Sequence, residues 1–562
     1  MTRQDLRRLM LGSAVCLALA GLHLRGDLAW LQVDRGVPNA DDAHHRLLCL
    51  QCERVFAEAW LPELPRRLAA LDVAYPPLAH IVGAAFHGAV PRGRDWVVLA
   101  GCFWLLVLLA GSYGLAERLG GPGCGPAAAL AVAAFPMVYA QSRFLMLELP
   151  VAALAVLATL ALECSGGLQS LGAALLLGVA CGLGLLTKYT FPIFLAGPLL
   201  TAGWAALGRP GQRVRALAKA ASSLLVATAV AAAISGWWYA VRWSERTDWL
   251  RHSESMEEQS YPTSWRDPLG VAYYGLAALS FPGMPFCLLA AACGGTALAR
   301  RRDPAAAKLA VWTAVPYAIL TAIRIKWGDY FLAALPPLAL AAALGYERPS
   351  GSTDSNATPR ESSLLRPAKL FAAAIAGAVL WWPVTFGIDL VRPAGQLHSW
   401  AVENLLLGPG RLVRKLVLQV PEGADAGLFK FDWWGHVGAA YPMAEVVDAI
   451  AGCPDGVRVG VQSDLVLFAD RETLELAAFD AELSQRFTGV SETGAYRAED
   501  LGGLVLHRKG PLLPDEASFY QLASEVFPEV TLPPPGDGPP AYFCILRRIP
   551  SLGCMIHVYR RK

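Results

Sequence analysis

Long apolar segments separated by short polar loops run through the first two-thirds of the chain. A helix of about 20 apolar residues crosses a hydrocarbon core about 30 Å thick, so the pattern predicts roughly eleven membrane spans. They are residues 10–24, 96–115, 126–140, 147–162, 171–186, 191–207, 222–240, 269–292, 309–323, 331–344 and 370–390. The first is interpreted as a retained span, because no clear small-residue cleavage site of a signal peptide is present.

A shorter apolar segment, residues 78–90, contains two histidines and is predicted to be an interfacial helix. Tyr75, Pro76 and Pro77 come directly before it. Proline fixes its own φ and disfavours helix in the residue that precedes it. The proline pair therefore either simply begins the helix at a favoured position or also holds the first external loop in a defined place.

Composition agrees with a polytopic membrane protein. Of the 562 residues, 55% are hydrophobic and 17% are charged, and the mean hydropathy is +0.39. Soluble proteins usually carry about 25% charged residues. The formal net charge of +2 gives no indication of nucleic-acid binding.

Basic residues near the predicted spans indicate the orientation. Arg3, Arg7 and Arg8 at the N-terminus and the basic loops 208–219 and 299–308 fall on one side of an eleven-span bundle. The positive-inside rule makes that side cytoplasmic.

The opposite face is then extracytoplasmic. It holds residues 27–95, the loop around Arg143, the loop after Trp243, residues 324–330 and everything after residue 391. The Ala/Arg/Gly-rich composition favours a bacterial source, for which we expect an inner-membrane protein whose extracytoplasmic face is periplasmic.

The chain beyond the bundle divides into two polar parts. Residues 347–369 are rich in Ser, Thr and Pro and are predicted to be a flexible cytoplasmic linker between spans. Residues 391–562 are predicted to be a small extracytoplasmic α/β domain, outside a transmembrane module of residues 1–390. The strand-like runs are 457–461, 503–509 and 541–549, and residues 470–483 have a helical pattern.

Two groups of cysteines have alternative interpretations. Cys453, Cys544 and Cys554 lie in the predicted external domain, where one disulfide can form and one thiol is left over. Cys49 and Cys52 have C-x-x-C spacing, which is compatible with a local disulfide or with packing, and less with zinc, because no second half-site follows.

Carboxylates are concentrated on the predicted external face. The first external loop contains Asp27 and Asp34, which are interpreted as hydrated loop acids. Glu148 begins a predicted span, where a carboxylate is costly unless it is hydrated, paired or functional. The simplest partner for Glu148 is Arg143, five residues earlier.

Asp41 and Asp42 form an adjacent pair in the same loop. An Asp before a helix beginning near Ala43 would accept backbone N–H hydrogen bonds and favour the helix dipole. An acidic pair at this place could equally serve catalysis. The spacing alone leaves both interpretations open.

Cations are predicted on the same face. Lys188 ends one span, and Arg324, Lys326 and Tyr330 begin another. Any one of these side chains could simply extend to the lipid headgroups. Several cations together with carboxylates instead favour a site that holds a phosphate and activates a hydroxyl.

The order of these segments resembles the GT-C membrane glycosyltransferases, in particular the protein mannosyltransferase and aminoarabinose transferase branch. The acidic pair is followed by "YPPL", by "QSRFLMLELP" at the head of a span, by "GLGLLTK", and finally by "RIKWGDY". The resemblance covers about the first 390 residues and implies a GT-C-like helical bundle. No recognisable motif occurs in the tail.

The resemblance implies roles for individual residues. Asp41 matches the first acid of the family's Asp-Glu pair, which is the expected base, and Asp42 stands where Glu is usual. Glu148 matches a position that usually holds Asp. Tyr75 stands where many relatives have Lys or His, and Lys188 matches the Lys of the Leu-Thr-Lys segment.

Three further positions match less closely. Arg324, Lys326 and Tyr330 correspond loosely to a later basic-Tyr segment, which would contact the donor phosphate. The resemblance also favours a loop-positioning role for the proline pair. Relatives in this branch generally need no divalent ion, so a metal held by His44, His45 or His80 with the aspartates is not favoured.

The implied activity is transfer of a sugar from a polyprenyl-phosphate donor to a hydroxyl or amine of a lipid, protein or surface glycan, with inversion. The donor, the acceptor and membrane lipids are the implied partners. The competing hypothesis is a transporter or flippase of a lipid-linked substrate, which would also contain buried ionisable residues. No internal repeat of hydropathy in two halves supports it.

Overall fold

The computed structural model describes most of the first 347 residues and part of the tail. The first region is residues 3–347, without 34–37, 39, 91–92, 167, 208–212, 258–265, 267, 281–283 and 324–327. Beyond it, five strand segments and a few single residues between 447 and 479 are described. The predicted linker 347–369 and the predicted span 370–390 lie outside the described residues, except for residue 347.

The first region is helical, as expected. Its α-helices are α1 (Arg3–Val33), α2 (Ala40–Glu58), α3 (Leu64–Leu71), α4 (Leu78–Ala89), α5 (Asp95–Gly120), α6 (Cys124–Ala134), α7 (Pro136–Gln141), α8 (Glu148–Cys164), α9 (Leu171–Leu185), α10 (Phe191–Leu207), α11 (Arg213–Glu257), α12 (Pro268–Ser280), α13 (Met284–Arg300), α14 (Pro304–Ala322) and α15 (Leu335–Glu347). Two 3₁₀ helices cover Leu61–Glu63 and Gly328–Ala334.

Five segments of the described residues are long and apolar enough to cross a membrane. They are Leu6–Gln32, Asp95–Gly120, Val214–Asp248, Pro304–Ala322 and Gly328–Gly345. Several shorter apolar helices lie between them. The protein is therefore an integral membrane protein, while the count of eleven spans stays a prediction.

One of the predicted spans is divided into two helices. The segment 126–140 is interrupted between α6 and α7, where Phe135 is extended (φ −70°, ψ 118°) before Pro136. Proline disfavours helical geometry in the preceding residue and donates no backbone hydrogen bond, which explains the break. In the segment 269–292, α12 and α13 lie on either side of residues 281–283, which are outside the described residues.

Helix α8 lies at the centre of the bundle. It is buried along most of its length, from Glu148 to Leu162. Its neighbours include α5 on one side and α9 on another. A carboxylate at the first position of α8 is thus placed inside protein and not at a lipid-facing surface.

The tail contains a five-stranded sheet in the order β2-β1-β3-β5-β4. Its strands are β1 (Arg458–Ser463), β2 (Arg486–Gly489), β3 (Leu501–Lys509), β4 (Tyr542–Ile549) and β5 (Cys554–Arg561). Strand β1 pairs in parallel with β2 and β3, and β5 pairs antiparallel with β3 and β4. The runs predicted as strands correspond to β1, β3 and β4. Most of the predicted helix 470–483 lies outside the described residues, so the α/β class stays a prediction.

The strand register narrows the choice of disulfide. Cys554 is opposite Ile549, and Cys544 is opposite Tyr559. The Cα atoms of the two cysteines are thus about 17 Å apart along the strands. A disulfide requires Cα atoms within about 7 Å, so Cys544 and Cys554 do not pair with each other. Cys453 lies outside the described residues.

The chain divides into two compact units. The first combines Met1–Trp30 with Gln51–Trp434, and the second combines Leu31–Leu50 with Gly435–Lys562. Within the second unit, the Thr473 hydroxyl donates a hydrogen bond of 3.1 Å to the carbonyl oxygen of Pro38. The residues that lead into α2 are therefore tied to the tail.

Candidate active site

Glu148 is the first residue of α8 and is buried. The preceding turn ends at Leu147, which is the N-cap residue (φ −86°, ψ −16°) and whose side chain makes no capping hydrogen bond. A carboxylate in the first turn interacts favourably with the helix dipole. The position therefore suits a carboxylate better than most buried places do.

Lys188 lies in the turn between α9 and α10 and is also buried. Backbone hydrogen bonds hold this turn: the Lys188 N–H donates to Gly184 O at 3.0 Å, and the Phe191 N–H donates to Lys188 O at 3.1 Å. The Lys188 ammonium donates a hydrogen bond to Glu148 Oε1. A buried ion pair is tolerated only with good geometry and extra hydrogen bonds, so this pair defines a polar centre in the bundle.

Tyr330 completes the centre from the 3₁₀ helix Gly328–Ala334. The Lys188 Nζ lies 4.3 Å from the centroid of the Tyr330 ring, a cation–π geometry. Burial by itself would lower the pKa of Lys188, but the charges of Glu148 and Asp329 and the hydrogen bond to Glu148 raise that pKa above its ordinary value of 10.5. The lysine therefore stays a cation across the physiological range.

A small cavity opens beside this pair. It is lined by Glu148, Val151, Lys188, Thr190, Phe194, Leu320, Tyr330 and Ala333. Its volume is about 10 Å³, roughly the space for one water molecule. Among the described residues, Glu148 Oε2 has no hydrogen-bond partner. That oxygen is therefore available to accept a hydrogen bond from a bound group.

Hydrogen bonds hold both ends of the loop before α4. Asp72 Oδ1 accepts hydrogen bonds from the Ala74 N–H and, at 2.9 Å, from the Tyr75 N–H. Helix α4 begins at Leu78 directly after Pro77, which confirms the predicted helix start, and the Leu78 N–H donates to Leu186 O at 2.9 Å. The segment with the proline pair is thus connected to the turn that carries Lys188.

Asp41 and Asp42 lie in the first turn of α2, which begins at Ala40. The expectation that they precede a helix starting near Ala43 is therefore corrected, although a place in the first turn still favours the dipole. Asp42 is buried, and both of its oxygens accept hydrogen bonds from Arg46, from Nε at 2.9 Å and Nη2 at 2.5 Å. Asp41 is half-buried.

The candidate residues are divided between the two units. Asp41 and Asp42 belong to the unit that includes the tail, and Glu148, Lys188 and Tyr330 belong to the other. Arg324, Lys326 and Asp34 lie outside the described residues. The structure therefore joins Glu148, Lys188 and Tyr330 and leaves the roles of the other candidates as predictions.

Two expectations about the acids are wrong. Asp27 is not a hydrated loop residue but is fully buried, because α1 continues through Asp27 to Val33. Its carboxylate accepts a hydrogen bond from Ser142 and faces Arg143. The second expectation concerned Glu148, which is paired with Lys188 and not with Arg143.

Sequence reasoning missed two charged residues near Lys188. Asp329 is buried beside Lys188 and directly precedes Tyr330. Arg246, on α11, is 3% exposed, and its guanidinium carbon is 3.8 Å from the centroid of the Tyr189 ring. Its position soon after the aromatic run Trp237–Tyr239 was an available signal, because such runs mark membrane interfaces.

Metal-ligating side chains do not cluster among the described residues. Among them, no three His, Cys, Asp or Glu side chains are close enough to hold a metal ion. Cys49 and Cys52 are buried thiols of α2, and burial raises the pKa of Cys52 to about 12. They are thiols and not a local disulfide, so the C-x-x-C spacing here favours packing.

Comparison with known proteins agrees with these features. Residues 75–239 match the family model described as dolichyl-phosphate-mannose-protein mannosyltransferase, a segment that includes Tyr75, Glu148 and Lys188. No curated protein sequence matches the chain.

Two solved structures of ArnT from Cupriavidus metallidurans have the same fold. The structure bound to undecaprenyl phosphate is 16% identical, with a TM-score of 0.56, and the match covers 98% of this chain and 97% of that one. The apo structure is 17% identical, with the same TM-score and coverage. The resemblance to GT-C membrane glycosyltransferases that the motifs indicated is confirmed by this fold and by the family match.

Proposed function

We propose that the protein is an integral-membrane glycosyltransferase that moves a sugar from a polyprenyl-phosphate donor to a hydroxyl or amine acceptor. The observation that carries the proposal is the buried Glu148–Lys188 pair at a cavity within the segment that matches the mannosyltransferase family model. A carboxylate beside a fixed cation supplies the two charges that such a transfer needs.

The reaction is proposed to be a single displacement. The acceptor oxygen or nitrogen attacks the anomeric carbon while a carboxylate takes its proton. The bond between that carbon and the phosphate oxygen breaks, the configuration inverts, and polyprenyl phosphate leaves with the bonding electron pair. The resemblance assigns the base to Asp41. Glu148 Oε2 is suited to orient the acceptor, because it is buried at the cavity with an open lone pair.

Cations are proposed to hold the phosphate. Phosphate is already a good leaving group, so it needs positive charge more than it needs a proton. Lys188 is the candidate with observed geometry, and Arg246 adds a second cation beside Tyr189, the residue next to Lys188. Arg324 and Lys326 remain candidates from the sequence, and Tyr330 shields Lys188 from one side.

The class of donor is supported by the ArnT structure that contains undecaprenyl phosphate. The amphiphilic donor would keep its lipid in the bilayer and its phosphate at the extracytoplasmic face, which would be periplasmic in a bacterial inner membrane. The cavity beside Glu148 has the volume of about one water molecule. No metal is assigned a step.

The test is release of polyprenyl phosphate by purified protein supplied with a panel of radiolabelled polyprenyl-phosphate sugars and acceptors. Asp41→Asn and Glu148→Gln are compared with the parent protein. Glu163→Gln is the matched control, because Glu163 is at the other end of α8 and forms an ion pair with Lys308 (2.6 Å). Parallel reactions with a chelator examine metal dependence.

We expect the parent and Glu163→Gln to release polyprenyl phosphate together with a glycosylated product. Asp41→Asn and Glu148→Gln should lose release by about 100-fold or more if they supply the base and the acceptor contact. Undiminished release in both variants would contradict the proposed roles of Asp41 and Glu148, but it would still support the glycosyltransferase activity. No release by folded parent protein with any donor and acceptor would contradict the glycosyltransferase proposal and favour a transporter.

A further inference from the structure

A second buried polar cluster lies where α1 meets the turn before α8. Asp27, on α1, has no exposed surface, and the same is true of Ser142 and Arg143 in the turn. An ionisable side chain inside a membrane-spanning segment is costly and is usually retained for a specific use. The proposed reaction gives Asp27 no role in chemistry, so its use has to be sought in its contacts.

Three consecutive residues of the turn contact α1. The Ser142 hydroxyl donates a hydrogen bond of 2.8 Å to Asp27 Oδ2. Arg143 Nε is 4.0 Å from Asp27 Oδ1, and its guanidinium carbon is 5.1 Å from the centroid of the Trp30 ring. Phe144 packs edge-on against the same ring at 5.6 Å. Asp27 and Trp30, one helical turn apart, thus form a single docking face.

The other side of the turn is held by α5. At Gly101, an added Cβ would overlap the carbonyl oxygen of Ser142 and would lie 2.7 Å from its carbonyl carbon. The backbone of the turn therefore packs directly on the backbone of α5. With α1 on one side and α5 on the other, Ser142 has little freedom to move.

The position of the turn is transmitted to Glu148. Leu145, Met146 and Leu147 connect Phe144 to the start of α8, and all three are buried. Close-packed interiors transmit displacements because they contain few voids. Glu148 follows immediately and contacts Lys188. A shift of Ser142 would consequently move the carboxylate relative to the ammonium.

We infer that Asp27 is a positioning residue, which fixes the turn 142–147 and thereby places Glu148 against Lys188 at the cavity. The inference rests on the proposed function for its effect on catalysis. The positioning itself is a property of the fold. Asp27 accepts from Ser142 and balances the charge of Arg143, which is why an uncharged or shorter side chain cannot replace it fully.

The test compares Asp27→Ala, Asp27→Asn and the control Glu163→Gln in the polyprenyl-phosphate release assay, with unfolding midpoints for each. Asp27→Asn keeps an oxygen that can accept from Ser142 but removes the charge that faces Arg143. Glu163→Gln removes an ion pair from the same helix at its far end. Both kcat and the donor KM are measured, because a merely structural role would lower the amount of folded enzyme without a selective change in kcat.

We expect kcat of Asp27→Ala to fall by roughly tenfold to a hundredfold, as misplacement by about 1 Å does in other enzymes, with little change in donor KM. Asp27→Asn should recover part of the loss. Glu163→Gln should keep the kcat of the parent protein, even if its unfolding midpoint falls by as much as that of Asp27→Ala. Normal kcat in both Asp27 variants, or an equal loss in Glu163→Gln, would overturn the inference.

A second measurement separates this inference from the proposed function. Unfolding midpoints are compared for Asp27→Asn and Glu148→Gln singly and together, and for Asp27→Asn with Glu163→Gln. If Asp27 places Glu148, the first pair of substitutions is non-additive and the second pair is additive. Additivity in both pairs overturns the positioning role. Absence of any transfer by the parent protein overturns the proposed function and leaves the result of this cycle standing.

Discussion

Lys188 donates a hydrogen bond to Glu148 across 40 residues of sequence, and both side chains are buried. Removal of one member of a buried ion pair leaves an uncompensated charge and costs about 3–5 kcal/mol. Replacement of both members leaves no such charge. We therefore expect Lys188→Met to lower the unfolding midpoint strongly, and Lys188→Met combined with Glu148→Gln to recover part of that loss.

Unfolding midpoints in one detergent check this expectation. The pair Glu163 and Lys308, which is partly exposed, serves as the control, and its substitutions should cost about 1 kcal/mol or less. Transfer should stay absent in the double variant despite the recovered stability. A double variant that is less stable than the sum of the single variants would contradict the pairing.

The raised pKa of Lys188 makes a prediction about pH. A lysine with a raised folded-state pKa contributes stability that is fully present below its unfolded-state pKa and is lost as pH rises through the folded-state value. Since that pKa lies above 10.5, the difference in unfolding midpoint between the parent protein and the double variant Lys188→Met/Glu148→Gln, in which Glu148 is not left as an unpaired acid, should be constant from about pH 6 to pH 9. It should shrink only at higher pH. A difference that already shrinks near neutrality would show that Lys188 loses its proton there.

Asp41 and Asp42 are predicted to have separable effects. Both oxygens of Asp42 are occupied by Arg46, and the carboxylate is buried. Asp42→Asn should therefore lower stability by several kcal/mol. Asp41, which is half-buried, should lower transfer by about 100-fold or more when changed to Asn, as loss of a base does. The release assay and unfolding midpoints together check both, and a stable, inactive Asp42→Asn would reverse the assignment.

The sequence predicted much of the fold around the site. The start of α4 after Pro77 was predictable, because proline constrains its own backbone and its predecessor. The break at Pro136 follows from the same rule. It was not predicted, because the spans were assigned from hydropathy, and the residues on both sides of Pro136 are apolar. The burial of Asp27 was not predicted, because the first span was assigned to end with the apolar run at residue 24. Helix α1 instead continues through polar residues to Val33.

Side-chain partners were harder to predict than elements. Arg143 is near Glu148 in sequence, yet it lies against Asp27, 116 residues earlier, and Glu148 lies against Lys188. Such pairs depend on how α1, α8 and α9 pack against one another. That packing could not be predicted from the spacing of residues in a single sequence. What the sequence did supply was the presence of acids and cations on one predicted face, which is the feature that led to Glu148 and Lys188.

The Asp72 carboxylate provides a test of the loop before α4. It accepts backbone hydrogen bonds from Ala74 and Tyr75, and each such bond contributes about 0.5–1.5 kcal/mol. Asp72→Ala should lower stability by about 1–3 kcal/mol and reduce kcat/KM, because Leu78 connects this loop to Leu186 and so to Lys188. Asp72→Asn keeps an acceptor oxygen and should lie between Ala and the parent in both measurements. Equal effects of Ala and Asn would assign the role to charge instead of hydrogen bonding.

Gly101 tests the close approach of α5 to the turn before α8. A Cβ at this position overlaps the carbonyl oxygen of Ser142, and overpacking typically costs about 1–3 kcal/mol. Gly203, in α10, has nothing within 4 Å of an added Cβ, so Gly203→Ala should raise stability by up to about 1 kcal/mol through helix propensity. Gly101→Ala should instead lower the unfolding midpoint. It should also lower kcat, since the displaced turn leads to Glu148, whereas Gly203→Ala should keep kcat. An increase in the unfolding midpoint of both variants would mean that the turn can move away from α5 at no cost. A normal kcat in a destabilised Gly101→Ala would show that the position of the turn does not affect the function of Glu148.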